Sequence, residues 1–309
     1  MHPLLPPFAV ALDFCFRDAE PWPHPVRLIG LFLDHLEQRA RQQARISLFV
    51  AGWISLGLLC LATGTITWIA INIPLLGPLI ALYLAYSGLS LAGLLASARH
   101  IINLMDAGRE SEAKSSLGML VSRDTSLLDR QGVYKTLAET VSENVNDGFV
   151  APMFYLLLGG PVLLWIYKAI STMDSMWGYT TTKWHQLGRA GARTEDILSA
   201  VPARITYLLT VLAAFLLRLS WREALLQAPR QAKRMKSPNA GWPMAACAWA
   251  VGAEMGGEAL YFGQVREKPR LGPSGEGWDK RAIQSLFRLT LTLGLVWTVL
   301  GSAVLWMAW

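Results

Sequence analysis

Charged residues are scarce in this chain of 309 residues: Asp, Glu, Lys and Arg make up 16% of it, against about a quarter in an ordinary soluble domain. Hydrophobic residues reach 53%, and the mean hydropathy is +0.33. This composition excludes an ordinary soluble domain and indicates an integral membrane protein. The net charge of +6 is then typical of Lys and Arg that flank membrane spans, so we expect a lipid bilayer and no nucleic acid as partner.

Cysteine and the common site motifs are also rare or absent. Cys15, Cys60 and Cys247 lie far apart, so they form no metal or redox spacing. The sequence contains no G-x-x-x-x-G-K-[ST], G-x-G-x-x-G, H-E-x-x-H or C-x-x-C. Standard nucleotide and zinc sites are therefore not readable from it.

Long stretches without charge predict the membrane spans. The 53 residues between Arg45 and Arg99 carry none, which is far more than one crossing of a ~30 Å core needs. The sequence NIPLLGP divides this stretch in two. The first apolar run of the chain, 4–16, is broken by prolines and follows no basic region, so we expect no cleavable signal there. The predicted spans are 46–70, 73–98 and 289–309.

Two further apolar segments, 148–167 and 205–217, are predicted to be either spanning or re-entrant. The sequence GGP interrupts the first segment, because Pro removes a backbone donor and Gly weakens a helix. The second has 13 charge-free residues, which is short for a full crossing. We therefore predict an all-α integral membrane protein, a single polytopic domain over 1–309, with three transmembrane helices, these two segments and cytoplasmic helical loops.

The two longest polar regions differ in character. Residues 99–147 predict two polar helices around Arg123 and Asp124. Residues 222–285 are rich in Pro, Gly and charge, and predict mostly irregular structure with short helices.

Carboxylates and amides crowd against the start of the apolar segment 148–167. If this region is helical, Glu139, Glu143 and Asp147 follow an i, i+4, i+8 course and share one face. Three neighbouring carboxylates repel one another, and a bound Mg²⁺, an amine or an arginine cluster would offset that repulsion. A polar helix end capped by Asn and Gly is the alternative, and the spacing leaves both open.

Three other positions are candidates with an equally simple structural alternative. Asp174 follows an apolar segment and is either a functional residue at the membrane edge or a helix cap. His24 lies between two prolines, which is typical of a rigid turn. Near Lys236, a turn at Asn239 opens an apolar helix whose N-terminus suits a phosphate, although a plain turn explains it as well.

Eight short strings occur in one order along nearly the whole chain: WPHPVRLIG, VSRDT, ETVSENVNDGFVAPMFYLLLGG, TMDSMWGY, LGRAGARTEDIL, VPARIT, SPNAGWPMAA and YFGQVREKPRLG. Together they resemble the membrane-bound adenosylcobinamide-phosphate synthases of cobalamin biosynthesis. The chain departs from that family near its start, where FRDAEPWPHP, with Asp18, stands in place of a Gly-Asp-Pro turn.

The resemblance implies an ATP-dependent amide ligase with Mg²⁺. It would join a carboxylate of the corrinoid adenosylcobyric acid to the amine of aminopropanol phosphate, of aminopropanol or of ethanolamine phosphate, giving adenosylcobinamide phosphate. The implied catalytic residues are Glu143, Asp147 and Asp174, of which Glu143 and Asp147 would hold Mg²⁺. The implied substrate-binding residues are His24, Arg27, Arg123, Asp124, Asn144, Asn146, Lys183, Arg193, Lys236, Asn239 and Lys268.

Charge counting bears on the topology. If both uncertain segments cross, 23 Lys and Arg lie on the N-terminal side and 5 on the other; if neither crosses, all 28 are cytoplasmic. We prefer the second arrangement, since it keeps every motif on the side that holds ATP. The expected location is the cytoplasmic membrane, with the active site on its cytoplasmic face.

Two other classes of function remain open at this point. One is a non-catalytic membrane sensor or signalling protein, as in the related ampicillin-resistance membrane proteins. The other is a transporter of cobamide precursors, which would favour ionisable residues inside crossing helices. The residues 46–98 offer none. Formation of product from ATP separates all three.

Overall fold

A computed structural model describes residues 2–17, 24–43, 45–179, 181–261 and 264–308, and most of these are helical. Asp18 and Trp309 lie outside the described residues. In chain order the elements are α1 Leu5–Phe16, α2 Pro25–Gln42, α3 Leu48–Ile71, α4 Gly77–Ser87, α5 Leu91–Asp106, α6 Glu110–Gly118, α7 Arg130–Val145, a π-helical turn Asn146–Val150, α8 Ala151–Trp177, α9 Arg189–Leu198, α10 Ala200–Leu216, α11 Trp221–Ala232, α12 Gly241–Val251, β1 Met255–Tyr261, β2 Gln264–Leu271 and α13 Lys280–Ala308.

Four helical stretches in the described part of the chain are long and apolar enough to cross a membrane: Leu48–Ile71, Gly77–Asp106, Arg130–Trp177 and Lys280–Ala308. The helices α9 and α10 meet at a bend of 45° and would add a fifth if they form one span. The predicted all-α membrane fold is confirmed. The three predicted spans overlap the first, second and fourth stretches, and the uncertain segment 148–167 lies within the third.

Breaks in the apolar helices occur where Gly and Pro stand. Within α8, Gly159 has φ −151° and ψ 26°, and Gly160 has φ 66° and ψ −161°, both outside the helical region. Pro161 follows and cannot donate a backbone hydrogen bond. The sequence NIPLLGP likewise separates α3 from α4. A further break, which we did not predict, divides the second apolar stretch between Ser87 and Leu91.

The chain divides into two compact units. The first comprises Met1–Ser90, Ala151–Ser199 and Thr298–Trp309. Within it α3 packs against α8 and α9, α2 packs against α3 and α8, and α1 packs against α4. Leu59, Trp165 and Trp177 are fully buried or nearly so, and between membrane helices such close packing stabilises through van der Waals contact.

The second unit comprises Leu91–Val150 and Ala200–Trp297. Its centre is α12, which packs against α7, α10 and α11. Two predicted polar helices, α6 and α7, flank the loop that carries Arg123 and Asp124, as expected.

The prediction of mostly irregular structure for residues 222–285 is wrong. This region forms α11, α12 and the antiparallel hairpin β1–β2. Its strands contain two glycines, one proline and five charged residues, so alternation of apolar and polar residues, which normally reveals a strand, is weak here.

Candidate functional site

Glu139 lies in a different environment from Glu143 and Asp147, the other two carboxylates predicted to share a face with it. Its side chain is 2% exposed and forms an ion pair with Arg123, whose side chain is 8% exposed. Its other oxygen, Oε1, accepts a hydrogen bond of 2.8 Å from the backbone N–H of Gly256. An arginine therefore offsets the charge of this carboxylate, which was one of the sequence alternatives.

Asp147 lies beyond the end of the regular helix. The helix α7 ends at Val145, and the π turn Asn146–Val150 takes over. A π turn hydrogen-bonds from i to i+5 and is wider than an α turn, so Asp147 does not continue the regular α-helical repeat of Glu139 and Glu143; the shared face of the three carboxylates stays a prediction. Both side chains are half-buried. Such turns occur frequently at functional sites.

Asn146 fixes the carboxylate of Asp147. Its Nδ2 donates to Asp147 Oδ1 at 2.7 Å, and its Oδ1 accepts from Thr206 Oγ1 on α10 at 2.8 Å. Asn146 is 3% exposed, whereas Asn144 is exposed. The buried amide thus connects the π turn with α10, and we had predicted it only as a polar contact to substrate.

Glu143 lies in a field of mixed charge. Lys268 on β2 and Arg123 provide positive charge within electrostatic range, and Glu139 provides negative charge. Lys268 and Glu143 are both half-buried, so this pair is neither sealed in the interior nor fully solvated. The described structure thus brings together one predicted carboxylate and one predicted phosphate-binding cation.

The predicted turn before α12 is present and well supported. Ser237 Oγ accepts from the backbone N–H of Asn239 at 3.3 Å and of Ala240 at 3.2 Å. Asn239, which is 5% exposed, accepts a 2.7 Å hydrogen bond from Arg204 Nη1 through its Oδ1. Lys236 is exposed beside this turn.

Arg204, which the sequence analysis did not single out, contacts the predicted residue Asn239. Its guanidinium lies 4.7 Å from the ring centre of Trp242 and also donates to Ala200 O at 2.8 Å. It therefore connects the strings VPARIT and SPNAGWPMAA. The available signal was an arginine at the very start of an apolar segment, where a charge is retained only when it has partners.

In the first unit, Asp174 lies near the end of α8, where the chain is tightly packed. The backbone N–H of Gly178 donates to Asp174 O at 2.6 Å. A Cβ on Gly188 would lie 1.8 Å from Trp177 O, so only glycine allows the two segments to approach so closely. The strings TMDSMWGY and LGRAGARTEDIL thereby form one packed corner.

Sequence reasoning also missed Glu195 in this corner. Its carboxylate accepts a hydrogen bond from Ser199 Oγ, and the hydroxyl of Tyr167 lies 3.1 Å from Ser199 Oγ. Asp174 and Asp196 lie within electrostatic range of it. The sequence position of Glu195 gave no signal, because Asp174 and Tyr167 come from a different segment of the chain, α8.

The remaining predicted residues of the first unit either contact other residues of the protein or are exposed to solvent. His24 caps α2, its Nδ1 accepting from Val26 N at 3.3 Å. Lys183 pairs with Glu37 at 3.1 Å and lies 4.3 Å from the ring centre of Trp184. Arg27 and Arg193 are exposed.

Asp124 belongs to a local turn in the second unit. It accepts hydrogen bonds from Ser126 N at 2.9 Å and Ser126 Oγ at 2.7 Å. These two donors lower the pKa of the Asp124 carboxyl, because they stabilise its charged form. Its binding role stays a prediction.

The predicted site residues divide between the two units. The second unit holds Arg123, Asp124, Glu143, Asn144, Asn146, Asp147, Lys236, Asn239 and Lys268, and the first holds His24, Arg27, Asp174, Lys183 and Arg193.

Glu143 and Asp147 are of the chemical type that Mg²⁺ uses as ligands, and the metal itself stays a prediction. Among the described residues, no group of three or more His, Cys, Asp or Glu side chains is arranged to hold a metal. In phosphate-using sites, however, Mg²⁺ commonly takes one or two carboxylates and completes its shell with water and phosphate oxygens. Glu143 and Asp147 are both partly accessible carboxylates, so they meet that requirement.

Comparison with known proteins decides the family. The family model described as CobD/Cbib protein matches residues 7–290 of this chain. The chain belongs to the CobD/Cbib family. The predicted resemblance is thereby confirmed, and membership supports a role in cobalamin biosynthesis.

Individual members cover nearly the whole chain. A protein of Streptococcus sanguinis named cobalamin biosynthesis protein CobD is 35% identical over 289 residues, which are 92% of this chain and 91% of the relative. Proteins of the same name are 35% identical over 303 residues in Pelobacter propionicus (96% and 93%) and 38% identical over 275 residues in Klebsiella pneumoniae (84% of each). No solved structure matches the chain.

Proposed function

We propose that this CobD/Cbib protein is an ATP-dependent amide ligase that forms adenosylcobinamide phosphate. It would join a carboxylate of adenosylcobyric acid to the amine of aminopropanol phosphate, with aminopropanol and ethanolamine phosphate as the alternative amines. Family membership supports the pathway. The observation that carries the reaction type is the pair Glu143 and Asp147 at a π turn, with Lys268 within electrostatic range of Glu143.

The chemistry explains why these residue types are needed. A carboxylate does not react with an amine at neutral pH, because an oxygen must first become a leaving group. Transfer of the γ-phosphoryl group of ATP to that oxygen gives an acyl phosphate and ADP; attack by the amine then forms the amide and releases phosphate and a proton. Mg²⁺, when bound, would neutralise phosphate charge during this transfer.

The chain's own residues have separate tasks in this proposal. Glu143 and Asp147 would hold the metal, and Asn146 keeps the Asp147 carboxylate in place through its 2.7 Å hydrogen bond. Lys268, and Lys236 beside the turn before α12, would attract phosphate groups as positive charges. Arg123 is already paired with Glu139, so its predicted contact with phosphate would have to compete with that carboxylate.

The residues in the first unit extend the proposal on the resemblance alone. Asp174 would act as a base toward the ammonium group of the amino alcohol. His24, Arg27, Lys183 and Arg193 would contact substrate. Asn144, Asn239 and Asp124 would do the same in the second unit. ATP is a cytoplasmic compound, so we place the active site on the cytoplasmic face of the cytoplasmic membrane.

Product formation by the purified protein tests the proposal. The full chain in detergent is incubated with adenosylcobyric acid, ATP, Mg²⁺ and each of the three amines in turn, and the corrinoid is analysed by mass spectrometry. We expect amide product with at least one amine and none without ATP or Mg²⁺. A sensor or a transporter would give no product with any amine, and that result would refute the ligase proposal.

A matched control variant shows whether activity is lost for reasons other than the loss of a site residue. Glu112→Gln removes an exposed carboxylate whose only described ion pair is with the exposed Arg109. We expect this variant to form product at the wild-type rate, since such surface pairs contribute little.

A further inference from the structure

Gly256, near the start of β1, is held from both sides by α7. Its N–H donates to Glu139 Oε1 at 2.8 Å, and its carbonyl oxygen accepts from Lys135 Nζ at 2.9 Å. Lys135 and Glu139 are one turn apart on α7, so they reach the same stretch of strand. Both contacts lie within the second unit, and together they attach the hairpin to the helix.

The backbone of β1 at Gly256 has a conformation that makes this attachment possible. Gly256 has φ +83°, and a Cβ there would lie 2.1 Å from Pro269 O, so no other residue fits. The pairing of the two strands shifts between Met255 and Gly257, and Gly257 lies opposite Lys268. Lys268 therefore lies opposite the residue that follows Gly256, close to the point at which the hairpin is attached to α7.

A carboxylate is the side chain that this position requires. Glu139 accepts from two donors at once, Arg123 through Oε2 and Gly256 N–H through Oε1. A glutamine offers one acceptor oxygen and would turn its NH₂ group toward one of these donors. The 2% exposure of Glu139 leaves no water to replace the lost contact, and an unsatisfied buried group is costly.

We propose that Glu139, itself held by Arg123, is a positioning residue that fixes the β1–β2 hairpin on α7 and thereby keeps Lys268 within electrostatic range of Glu143. The inference deepens the proposed function, since it rests on Lys268 serving as a cation for phosphate. The attachment of the hairpin, by contrast, can be measured without any ligase activity.

Hydrogen exchange of the full chain in detergent tests the attachment. In Glu139→Gln we expect the amides of β1 and β2 to exchange about tenfold faster than in the wild type, the effect of losing one buried hydrogen bond. Peptides from α10 and α13 should be unchanged, and Glu112→Gln should match the wild type throughout. Unaltered exchange of the hairpin in Glu139→Gln would overturn the proposal.

A second variant covers the case in which the unpaired Arg123 prevents folding of Glu139→Gln. Lys135→Met removes the other contact to Gly256 and leaves the ion pair intact. It should also accelerate exchange in β1 and β2, by a smaller factor. Wild-type exchange in this variant, with Glu139→Gln unfolded, would count against an attachment through Gly256.

Kinetics test whether Glu139 acts through Lys268. We expect Glu139→Gln to raise the KM for ATP about tenfold with a smaller change in kcat, and Glu139→Asp to recover part of the loss. The double variant Glu139→Gln/Lys268→Met should be no worse than Lys268→Met alone, because effects carried through one group do not add. Multiplying effects would overturn the link to Lys268, whereas a wild-type protein without activity would refute the ligase proposal and leave the exchange result to decide the attachment.

Discussion

The side-chain amide of Asn146 orients the carboxylate of Asp147. Asn146 is buried and bridges Asp147 Oδ1 and Thr206 Oγ1, so the carboxylate is oriented before any ligand arrives. Asp147 lies in the π turn that follows the helix of Glu143, and its side chain is half-buried. Two carboxylates so placed repel each other unless a cation lies nearby. Substitution of Asp147 is therefore the most direct test of the ligase proposal.

We predict that Asp147→Asn abolishes ligation with little loss of stability. Asparagine keeps the shape and an acceptor oxygen for Asn146, but it removes the charge that a cation needs. Loss of such an electrostatic contact in an organised site costs the chemical step about 3–4 kcal/mol, roughly a hundredfold or more in rate. The measurements are ATP-dependent amide formation at saturating Mg²⁺ and a thermal melting curve.

Glu143→Gln should behave nearly the same way, and Glu112→Gln is the matched control on an exposed helix. If the stretch were only a polar helix end, both amides would be tolerated, because Asn and Gln cap and solvate about as well. Turnover near that of the wild type in Asp147→Asn would remove the metal assignment.

A second prediction at this scale concerns Cys247. Burial raises the pKa of its thiol to about 11. The thiolate is the reactive form, so the folded protein should resist iodoacetamide at this position at pH 8. Mass spectrometry of peptides should show alkylation of Cys247 only after denaturation. Modification at equal rates in the folded and denatured protein would contradict the buried position of α12.

At the scale of elements, the corner formed by the end of α8 and the start of α9 depends on close approach. Gly188 precedes α9, and a Cβ there would overlap the carbonyl oxygen of Trp177. We predict that Gly188→Ala destabilises the protein by about 2 kcal/mol or more, because overpacking forces the backbone apart. The midpoint of thermal unfolding in detergent should fall by several degrees.

Gly57→Ala is the control for that substitution. Gly57 lies in the interior of α3, and a Cβ there meets no atom within 4 Å. Alanine favours a helix over glycine, so this variant should melt at the wild-type temperature or above it. Equal melting temperatures for the two alanine variants would show that the approach of α9 to α8 is looser than described.

The elements also show how far the sequence could predict the structure. The helices α3 and α13 and the break in α8 follow from charge-free runs and from Gly and Pro, which are local signals. The ion pair of Glu139 with Arg123 and its bond to Gly256 join residues separated by 16 and 117 positions. Periodicity on α7 carries no information about such partners. It therefore predicted a single acidic face, where the structure has one buried carboxylate and two partly accessible ones.

At the scale of the whole molecule, the question is how many segments cross the membrane. The described part of the chain contains four candidate spans, or five with the bent pair α9 and α10. A model with three crossings instead leaves the segments 148–167 and 205–217 embedded without crossing. The break at Gly159 and Gly160 is compatible with a segment that enters the membrane and turns back. Family motifs lie on both sides of each segment, so crossing would put them in different compartments.

We predict that Ser115, Gln186 and Ser274 all face the cytoplasm. Each is exposed in the structure, so single cysteines at these positions should be tolerated and should react with a membrane-impermeant maleimide only after the cells are opened. The reason is the distribution of charge: with neither uncertain segment crossing, all 28 Lys and Arg lie on the cytoplasmic side. Leu75→Cys is the positive control, because Leu75 is 94% exposed in the short loop between α3 and α4 and should react in intact cells. Labelling of Gln186→Cys in intact cells, with Ser115→Cys and Ser274→Cys protected, would show that both uncertain segments cross and that Asp174 cannot share an ATP site with Glu143.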